Sequence, residues 1–347
     1  MNVTVRSLEA GLADGRDVRI AFELSGEHPT LPRADALAAL EAERVVVRRV
    51  AFSPHLLIVD ADRPPIQALR RVALSHYVCR VIRGGSWREI LEAARRQRLG
   101  GRRFRVRAHG PFRPEEKHDF ERRVGAAMAK SGRVDLERPE QEFRILRHGG
   151  QFLFGEVRHT VERSAFEARK VARRPFSQPI SLHPKFARAL VNLSRCRSNG
   201  VLLDPFCGTG GIAIEAALLG MRVVASDLEE KMVSGTRHVL ENYGLRADLF
   251  RGDVADVMGA VSHVDAIATD PPYGRSTTTR GEPILALFRR AFETLHAVLR
   301  PGGYAAVILP SEEAIAIGQE FLRLEETHSL RVHRSLTRTF CAFVKEP

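Results

Sequence analysis

The sequence has few cysteines, very few lysines and no long apolar run. Its four cysteines are far apart and form no C-x-x-C pair, so neither a disulfide framework nor a zinc site of usual spacing is expected. The histidines form no H-E-x-x-H or H-x-E pattern, and we expect no metal. No apolar stretch approaches the ~20 residues that span a bilayer, and the first residues lack the apolar block of a secretory signal. We therefore expect a cytoplasmic monomer without a membrane partner.

Arginine is abundant, and basic residues are unevenly distributed along the chain. Residues 1–180 hold 35 Lys and Arg against 23 Asp and Glu, whereas residues 181–347 hold 19 of each. The whole net charge of +12 therefore lies in the N-terminal half. A proteome rich in arginine would affect both halves, so the asymmetry favours a polyanion-binding module over an ordinary solvated face. Charge alone leaves RNA, DNA and an anionic membrane as alternatives.

The second half of the chain alternates strand-like and helix-like segments. Short apolar runs of strand character begin at Val201, Arg222, Ala247, Val264 and Tyr304. Helical patterns lie between most of them, and the last helix should stop at Pro301-Gly302-Gly303. Repeated βα units require a mostly parallel, doubly wound sheet. The tail differs, because two short strands around a polar turn, Leu330–His333 and Thr339–Val344, predict antiparallel pairing at the sheet edge.

The first half has a less regular, α+β pattern. Helices are predicted at Ile66–Leu74 and Trp87–Arg98, and strands at Val45–Ala51, Leu56–Val59 and Phe104–Ala108. Residues 160–180 contain two prolines and positive charge without a clear period, and they coincide with the step in charge. This composition predicts a linker.

A glycine-rich loop, Asp204-Pro205-Phe206-Cys207-Gly208-Thr209-Gly210-Gly211, follows the first strand of the second half. Glycines there let the backbone approach a ligand, and the next helix offers free N–H groups. A Walker P-loop needs a Gly-Lys pair, which is missing. A dinucleotide fingerprint needs G-x-G-x-x-G, and Asp204 would repel a pyrophosphate. A cofactor with a cationic end is favoured instead.

Two later acids follow the second and third strands. Asp227 is placed to accept both ribose hydroxyls, and Asp253 to accept from an adenine amino group. Each aspartate alone could be a cap or turn residue, but the ordered set predicts S-adenosylmethionine. The other predicted cofactor contacts are Phe206, Cys207, Gly208, Thr209, Gly210, Leu228, Val254 and Asp270. Cys207 could be the nucleophile of C5-pyrimidine methylation, but its place in the loop favours packing.

The motif Asp270-Pro271-Pro272-Tyr273-Gly274 follows the fourth strand, at the carboxyl edge of the sheet. An exocyclic base amine is a poor nucleophile, because its lone pair is delocalised into the ring. The Asp270 carboxylate and the Pro271 carbonyl can accept its two hydrogens, and Pro271 and Pro272 stiffen the loop. Tyr273 can stack on an extruded base. A rigid turn with a buried tyrosine would explain the motif if it stood alone. It does not explain why the glycine-rich loop lies 66 residues upstream.

With these motifs, residues 201–309 resemble class I S-adenosylmethionine-dependent amino-methyltransferases with a D-P-P-Y motif. That group includes DNA adenine-N6, DNA cytosine-N4 and RNA guanine-N2 enzymes. The resemblance implies an α/β Rossmann fold with a seven-stranded sheet and an antiparallel last strand.

The first half is similar to a THUMP domain preceded by a ferredoxin-like unit, through Phe104–His109 and Phe154–Val157. With Arg173–Phe176 and Ser181–Leu193, the order of segments resembles the archaeal tRNA (guanine(10)-N2)-dimethyltransferases. The resemblance implies a ferredoxin-like unit over 1–50, a THUMP domain over 51–159, a linker over 160–180 and a methyltransferase domain over 181–347.

The same resemblance implies that tRNA is the partner, gripped at its 3′ end, and that N2 of guanosine 10 is methylated by direct transfer. It assigns His183 and Pro184 to the methionine end of the cofactor, although a helix starting at Pro184 explains these residues equally well. The candidate RNA-binding residues are Arg95, Arg96, Arg102, Arg103, Arg105, Arg107, Arg173 and Arg174.

Three alternatives stay open. The chain could methylate N2 of a guanine elsewhere in tRNA or in rRNA. It could methylate DNA, which would predict a sequence-reading domain. It could be an RNA-binding protein with an inactive methyltransferase fold, but the presence of Asp204, Asp227 and Asp270 argues against decay. Whether one or two methyl groups are added depends on the space beside Asp270.

Overall fold

The computed structural model describes residues 17–176, 178, 181–273, 282–333 and 336–347. They divide into two compact units. The N-terminal unit comprises 17–29, 45–70 and 75–161, and the C-terminal unit comprises 30–44, 71–74 and the described residues from 162 onward. None of the helices within these ranges has the length and apolar character needed to cross a bilayer.

The helices are short to medium in length. In chain order they are α1 (Leu31–Ala42), α2 (Ile66–Arg71), α3 (Trp87–Arg95), α4 (Pro114–Met128), α5 (Arg163–Ala168), α6 (Pro184–Leu193), α7 (Gly211–Leu218), α8 (Glu230–Asn242), α9 (Val257–Ala260), α10 (Ile284–Val298) and α11 (Glu312–Gln319).

One mixed sheet organises the N-terminal unit. Its strands are β1 (Val18–Leu24), β2 (Val47–Ser53), β3 (Leu56–Ala61), β4 (Ser75–Gly85), β5 (Arg103–His109), β6 (Arg133–Val134), β7 (Gln141–His148) and β8 (Gln151–Thr160). Their order is β2-β3-β1-β4-β8-β7-β5-β6. Pairing is antiparallel except at β5, which runs parallel to β6 and β7.

Strand β5 shows how side-chain alternation places arginines opposite a buried face. Phe104, Val106 and Ala108 are buried in a core with residues of α3 and α4. The alternation of side chains along a strand then directs the intervening arginines to the other face. Helix α3 begins at Trp87 because Ser86 and Glu89 form a reciprocal capping box.

A seven-stranded sheet organises the C-terminal unit. Its strands are β9 (Val201–Asp204), β10 (Arg222–Asp227), β11 (Asp248–Arg251), β12 (Val264–Thr269), β13 (Leu299–Leu309), β14 (Arg323–His333) and β15 (Leu336–Val344). The order is β11-β10-β9-β12-β13-β15-β14, and the last strand, β15, is antiparallel to both neighbours. The α/β fold class with an antiparallel last strand is confirmed.

Several predicted element bounds need correction. Strand β13 begins at Leu299 and runs through the predicted helix stop, because the Gly302 N–H and the Gly303 carbonyl bond to the Lys345 backbone at 2.8 and 3.0 Å. Helix α2 ends at Arg71 and not at Leu74, because the N–H groups of Ala73 and Leu74 donate to Asp35 instead of to the helix. Helix α11 and strands β1, β4 and β7 had no counterpart in the prediction.

The compact units do not follow the predicted domain limits everywhere. The predicted limit at residue 50 falls inside β2, and α1 belongs to the C-terminal unit. The predicted linker contains α5 and a 3₁₀ turn at Val171–Arg173, while residues 177, 179 and 180 lie outside the described residues. The assignment of ferredoxin-like and THUMP domains stays a prediction.

Candidate active site

Three aspartates lie at the carboxyl edge of the C-terminal sheet. Asp204 ends β9, Asp227 ends β10, and Asp270 directly follows β12. Because β9 pairs in parallel with both β10 and β12, these ends meet at one edge. The charges of Asp227 and Asp270 both raise the pKa of Asp204, as expected for neighbouring carboxylates. The strand order thus gathers residues that are 66 positions apart in the chain.

Asp204 is fully buried and incompletely hydrogen-bonded. Its Oδ1 accepts from the Thr269 hydroxyl at 2.7 Å and from the Phe206 N–H at 3.4 Å. Its Oδ2 has no partner among the described residues. Burial is the main cause that raises the pKa of Asp204 to about 7. A buried carboxylate oxygen without a donor is costly, so this site suits a ligand that brings a donor or a cation.

The backbone of the loop after β9 is hydrogen-bonded to side chains of neighbouring elements. Its Gly208 N–H donates to Asp227 Oδ2 at 3.0 Å, and the Gly208 carbonyl accepts from the Thr236 hydroxyl at 2.8 Å. Gly210 has φ +75°, and a Cβ there would lie 2.8 Å from the Thr236 side chain. Only glycine satisfies both conditions. This close packing against α8 fixes the loop directly before the N-terminus of α7.

Cys207 and Thr209 have structural contacts in this loop. The Cys207 thiol is buried, and burial raises its pKa well above the usual range. A thiol that stays protonated is a poor nucleophile, which supports the packing role. The Thr209 hydroxyl is 3.0 Å from that of Ser181, so the segment before α6 contacts the loop.

Asp227 connects β10 to the glycine loop. Its Oδ1 accepts from the Glu229 N–H at 3.0 Å, and its Oδ2 accepts from Gly208. Each oxygen keeps one lone pair for a further donor, which is compatible with the predicted ribose contact. Leu228, next in sequence, is partly buried, and its carbonyl accepts from Arg251 at 3.3 Å.

Asp253 has protein partners on both oxygens. It caps the 3₁₀ turn Val254–Asp256 through the Ala255 N–H at 3.1 Å, and its carboxylate pairs with Arg290. Arg290 is the main cause that lowers the pKa of Asp253. An adenine amino group would have to share this carboxylate, so the predicted contact stays a prediction. The neighbouring Val254 is buried beside Phe206, which is partly buried.

The D-P-P-Y motif brings a carboxylate, a phenol and a guanidinium together. The Tyr273 hydroxyl donates to Asp270 Oδ1, and Arg338 Nη2 lies 3.6 Å from Asp270 Oδ2. The Arg338 guanidinium is also 5.9 Å from the centre of the Tyr273 ring. Burial raises the pKa of Asp270, and the Arg338 charge opposes that rise.

The prolines and Arg338 complete this part of the site. Pro271 is buried and Pro272 partly buried, whereas Gly274 lies outside the described residues. Arg338 is buried and belongs to β15, 68 positions after Asp270. Sequence reasoning missed it, because nothing local marks an arginine on the last strand as a neighbour of the motif.

His183 and Pro184 form the start of α6. His183 is the N-cap, and its Nδ1 accepts from the Lys185 N–H at 3.3 Å, while Pro184 occupies the first turn. The His183 ring is also 3.3 Å from Glu167. These contacts give both residues a structural role, and a role in cofactor binding stays a prediction.

The candidate RNA-binding arginines differ in exposure. Arg95, Arg96, Arg102, Arg103 and Arg173 are exposed. Arg105 and Arg107 are partly buried and pair with Glu142 and Glu121. Arg174 is only 6% exposed, so its position does not fit a contact with an RNA phosphate at the surface. In the described part of the chain, no group of three or more His, Cys, Asp or Glu residues could hold a metal.

Comparison with known proteins gives concordant matches. The family model described as UPF0020, the RMKL-like methyltransferase domain, matches residues 171–340. The tRNA (guanine(10)-N2)-dimethyltransferase of Methanothermobacter thermautotrophicus is 34% identical over 323 residues, which are 91% of this chain and 96% of that protein. The tRNA (guanine(6)-N2)-methyltransferase of Thermus thermophilus is 33% identical over 325 residues, 87% of this chain and 88% of that protein.

A solved structure has the same fold. TrmN from Thermus thermophilus superposes with a TM-score of 0.54 at 24% identity, over 94% of this chain and 99% of that chain. The match confirms the Rossmann-like methyltransferase fold expected from the motifs.

Proposed function

The chain belongs to the family of the archaeal tRNA (guanine(10)-N2)-dimethyltransferases, and from that premise we propose that it dimethylates N2 of guanosine 10 in tRNA. S-adenosylmethionine is the methyl donor. The observation that carries the proposal is the grouping of Asp270 and Tyr273 with the incompletely bonded Asp204 at one edge of the sheet.

The residues around Asp204 fit the cofactor. An orphaned, buried carboxylate oxygen next to a glycine loop suits the cationic amino-acid end, and Asp227 keeps lone pairs for the ribose hydroxyls. When bound, the cofactor supplies an electrophilic methyl group. Its predicted partners at Asp253, Val254, His183 and Pro184 belong to this proposal.

In the proposed mechanism, Asp270 and the Pro271 carbonyl accept the two N2 hydrogens and direct the lone pair towards the methyl group. Once N2 has taken up the methyl group that the bound cofactor would supply, Asp270 would accept the proton that N2 loses. Burial raises the pKa of Asp270, which suits a carboxylate that must take up a proton. Tyr273 leaves its hydrogen bond to Asp270 and stacks on the guanine.

Substrate binding is assigned to the arginine-rich N-terminal unit. Exposed arginines such as Arg95, Arg96 and Arg102 offer bidentate contacts to phosphates. We assign this unit, as a THUMP-like module, to tRNA binding, with Arg173 as a further phosphate contact. The proposal also places the protein in the cytoplasm as a monomer.

A second target position is supported by one relative. The guanosine-6 enzyme has almost the same percentage identity to this chain as the guanosine-10 enzyme, 33% against 34%, over a smaller share of both chains. The two candidates share all the chemistry above and differ only in which nucleotide reaches Asp270.

Labelled methyl transfer to unmodified tRNA transcripts tests the proposal. We expect incorporation into wild-type transcripts, loss of it when guanosine 10 is replaced by adenosine, and retention when guanosine 6 is replaced. Nucleoside analysis should give N2,N2-dimethylguanosine. The Asp270→Ala variant is the inactive control. Transfer to DNA, or to no RNA, would contradict the function, and dependence on guanosine 6 would favour the second position.

A further inference from the structure

A buried cluster of three arginines and one glutamate lies against the face of α7 that carries Gly211 and Glu215. Arg169 Nε donates to Glu215 Oε1 at 2.8 Å, and Arg188 Nη2 lies 2.8 Å from Glu215 Oε2. Glu215 is fully buried, and Arg188 is 6% exposed. Both oxygens of the single carboxylate are therefore already occupied by two of the three cations.

Arg174, the third cation, has no carboxylate of its own. It is 94% buried, and its Nε donates to the Arg169 carbonyl at 2.8 Å. Its Nη1 and Nη2 have no hydrogen-bond partner among the described residues. The cluster thus combines three positive charges with one negative charge away from solvent. A buried charge without a counterion is strongly unfavourable, so the arrangement calls for an anionic ligand.

The free end of Arg174 lies beside the cofactor loop. A Cβ built on Gly211 would be 3.4 Å from Arg174 Nη1. Gly211 is the first residue of α7, whose first-turn N–H groups lack acceptors within the helix. A helix N-terminus attracts anions, and here two unpartnered nitrogens of a guanidinium lie close to it. Ser181, shortly before α6, also contacts the loop through Thr209.

We propose that Arg174 binds the carboxylate of the methionine part of S-adenosylmethionine, an inference that rests on the proposed function. The amino-acid end of this cofactor carries one positive and one negative group. Asp204 offers an unpaired carboxylate oxygen to the ammonium group, and Arg174 offers two unpaired donors to the carboxylate. Glycine at position 211 leaves room between the guanidinium and the helix.

An RNA phosphate is a poorer occupant of this site. A phosphate within a polymer needs an open surface, and Arg174 has almost none. The neighbouring Arg173 is exposed and can bind an RNA phosphate instead. The slender end of a small molecule can reach a buried guanidinium.

Calorimetric binding of three ligands without tRNA tests the assignment. The ligands are S-adenosylmethionine, its decarboxylated analogue and 5′-methylthioadenosine, which lacks the whole amino-acid end. We expect the wild-type protein to prefer the carboxylate-bearing ligand over the decarboxylated one by roughly ten- to a hundredfold, as for a charge-assisted bidentate pair. Arg174→Met should abolish this preference and leave the affinity for 5′-methylthioadenosine within about twofold.

Matched controls keep the result interpretable. Arg222→Met removes an arginine that is 70% exposed at the start of β10, far along the strand from the carboxyl edge, and should retain the full preference. If Arg174→Met fails to fold, the wild-type comparison still decides, because equal affinity for the first two ligands would overturn the assignment.

The remaining outcomes separate this inference from the proposed function. An Arg174→Met protein that keeps the ligand preference but binds tRNA more weakly would overturn the assignment in favour of a phosphate site. If the wild-type protein bound none of the three ligands, the proposed function itself would fail. The wild-type protein could prefer the carboxylate-bearing ligand and yet transfer no methyl group to tRNA. That result would support the assignment of Arg174 and contradict tRNA as the substrate.

Discussion

At the scale of single residues, three aspartates on one sheet edge have different electrostatic environments. Asp204 is buried with one free oxygen, and its pKa rises to about 7. Asp227 is only partly buried, and two backbone N–H groups stabilise its charge. Asp270 lies beside Arg338, whose charge opposes the effect of burial. Identical side chains can therefore take different roles, because their partners differ.

The pKa of Asp204 predicts pH-dependent cofactor affinity. In the proposed complex the ionised carboxylate binds the ammonium end of the cofactor. Half of the Asp204 side chains are ionised at a pH near the pKa of about 7. The affinity for S-adenosylhomocysteine should thus be about tenfold weaker at pH 6 than at pH 8. Titration calorimetry at pH 6, 7 and 8 measures this change.

The Asp204→Asn variant is the control for this prediction. It should bind the same ligand more weakly at pH 8 and show almost no pH dependence. A wild-type affinity that stayed constant from pH 6 to pH 8 would exclude Asp204 as the titrating partner.

Arg338 should set the acidic limit of activity. Burial raises the pKa of Asp270 and the Arg338 charge opposes that rise. Arg338→Met should therefore raise this pKa further and move the acidic limb of the kcat/KM profile to higher pH. Activity should recover partly in alkaline buffer, because Asp270 is then ionised. Asp270→Asn should instead lose about 10²- to 10³-fold in kcat at every pH.

Arg289→Met is a suitable comparison, since Arg289 is exposed and pairs with Glu320. Its pH profile should match that of the wild type. An acidic limb that did not move in Arg338→Met would show that Arg338 does not tune Asp270.

At the scale of elements, a buried polar network connects α1 to α6 within the C-terminal unit. Asp35 accepts from the Asn192 amide at 2.7 Å and from the N–H groups of Ala73 and Leu74 at 2.9 Å. Asn192 also accepts from Arg71 at 3.2 Å and donates to its carbonyl at 3.0 Å. The network explains why residues 30–44 and 71–74 belong to this unit and not to the N-terminal one.

Removal of one member of this network should destabilise the protein. Burial raises the pKa of Asp35, and the Asn192 hydrogen bond opposes that rise. Asn192→Ala should lower the free energy of unfolding by about 2–4 kcal/mol, because it leaves buried polar groups without partners. Urea denaturation at constant pH measures the loss.

Asn242→Ala provides the reference, because Asn242 is exposed at the end of α8. Its effect should stay within about 0.5 kcal/mol. Equal stability of the two variants would mean that water satisfies the network when Asn192 is removed.

At the scale of the whole molecule, the basic excess of residues 1–180 predicts salt-sensitive binding of tRNA. Affinity should fall steeply between 50 and 200 mM salt, on the order of tenfold or more, because phosphate contacts release counterions. Replacing Arg95 and Arg96 by Glu should weaken binding and flatten the slope, whereas cofactor affinity should not change. Filter binding at several salt concentrations measures both effects.

The comparison variant is Arg222→Glu, which changes an exposed arginine in the half of the chain whose charges balance. It should leave the salt slope unchanged. Salt-insensitive binding by the wild type would contradict a phosphate-binding role for the arginines.

Local sequence patterns are sufficient to predict the parallel sheet, the glycine-rich loop and the order of the acids. Apolar runs and glycine turns are local signals, and right-handed βα units leave few topologies open. These patterns alone assign Asp204, Asp227 and Asp270 to one edge of the sheet. The change in net charge near residue 180 is equally apparent from the sequence, because charged residues can be counted without knowledge of the fold.

Tertiary structure alone decided which distant side chains meet. Arg338 reaches Asp270 only because β15 inserts between β13 and β14 with reversed direction. Arg174, predicted as an RNA contact from its place in a basic linker, is instead buried beside Gly211 and near Glu215. Long-range packing sets these neighbours, and no local pattern encodes the burial or the partner of a single arginine.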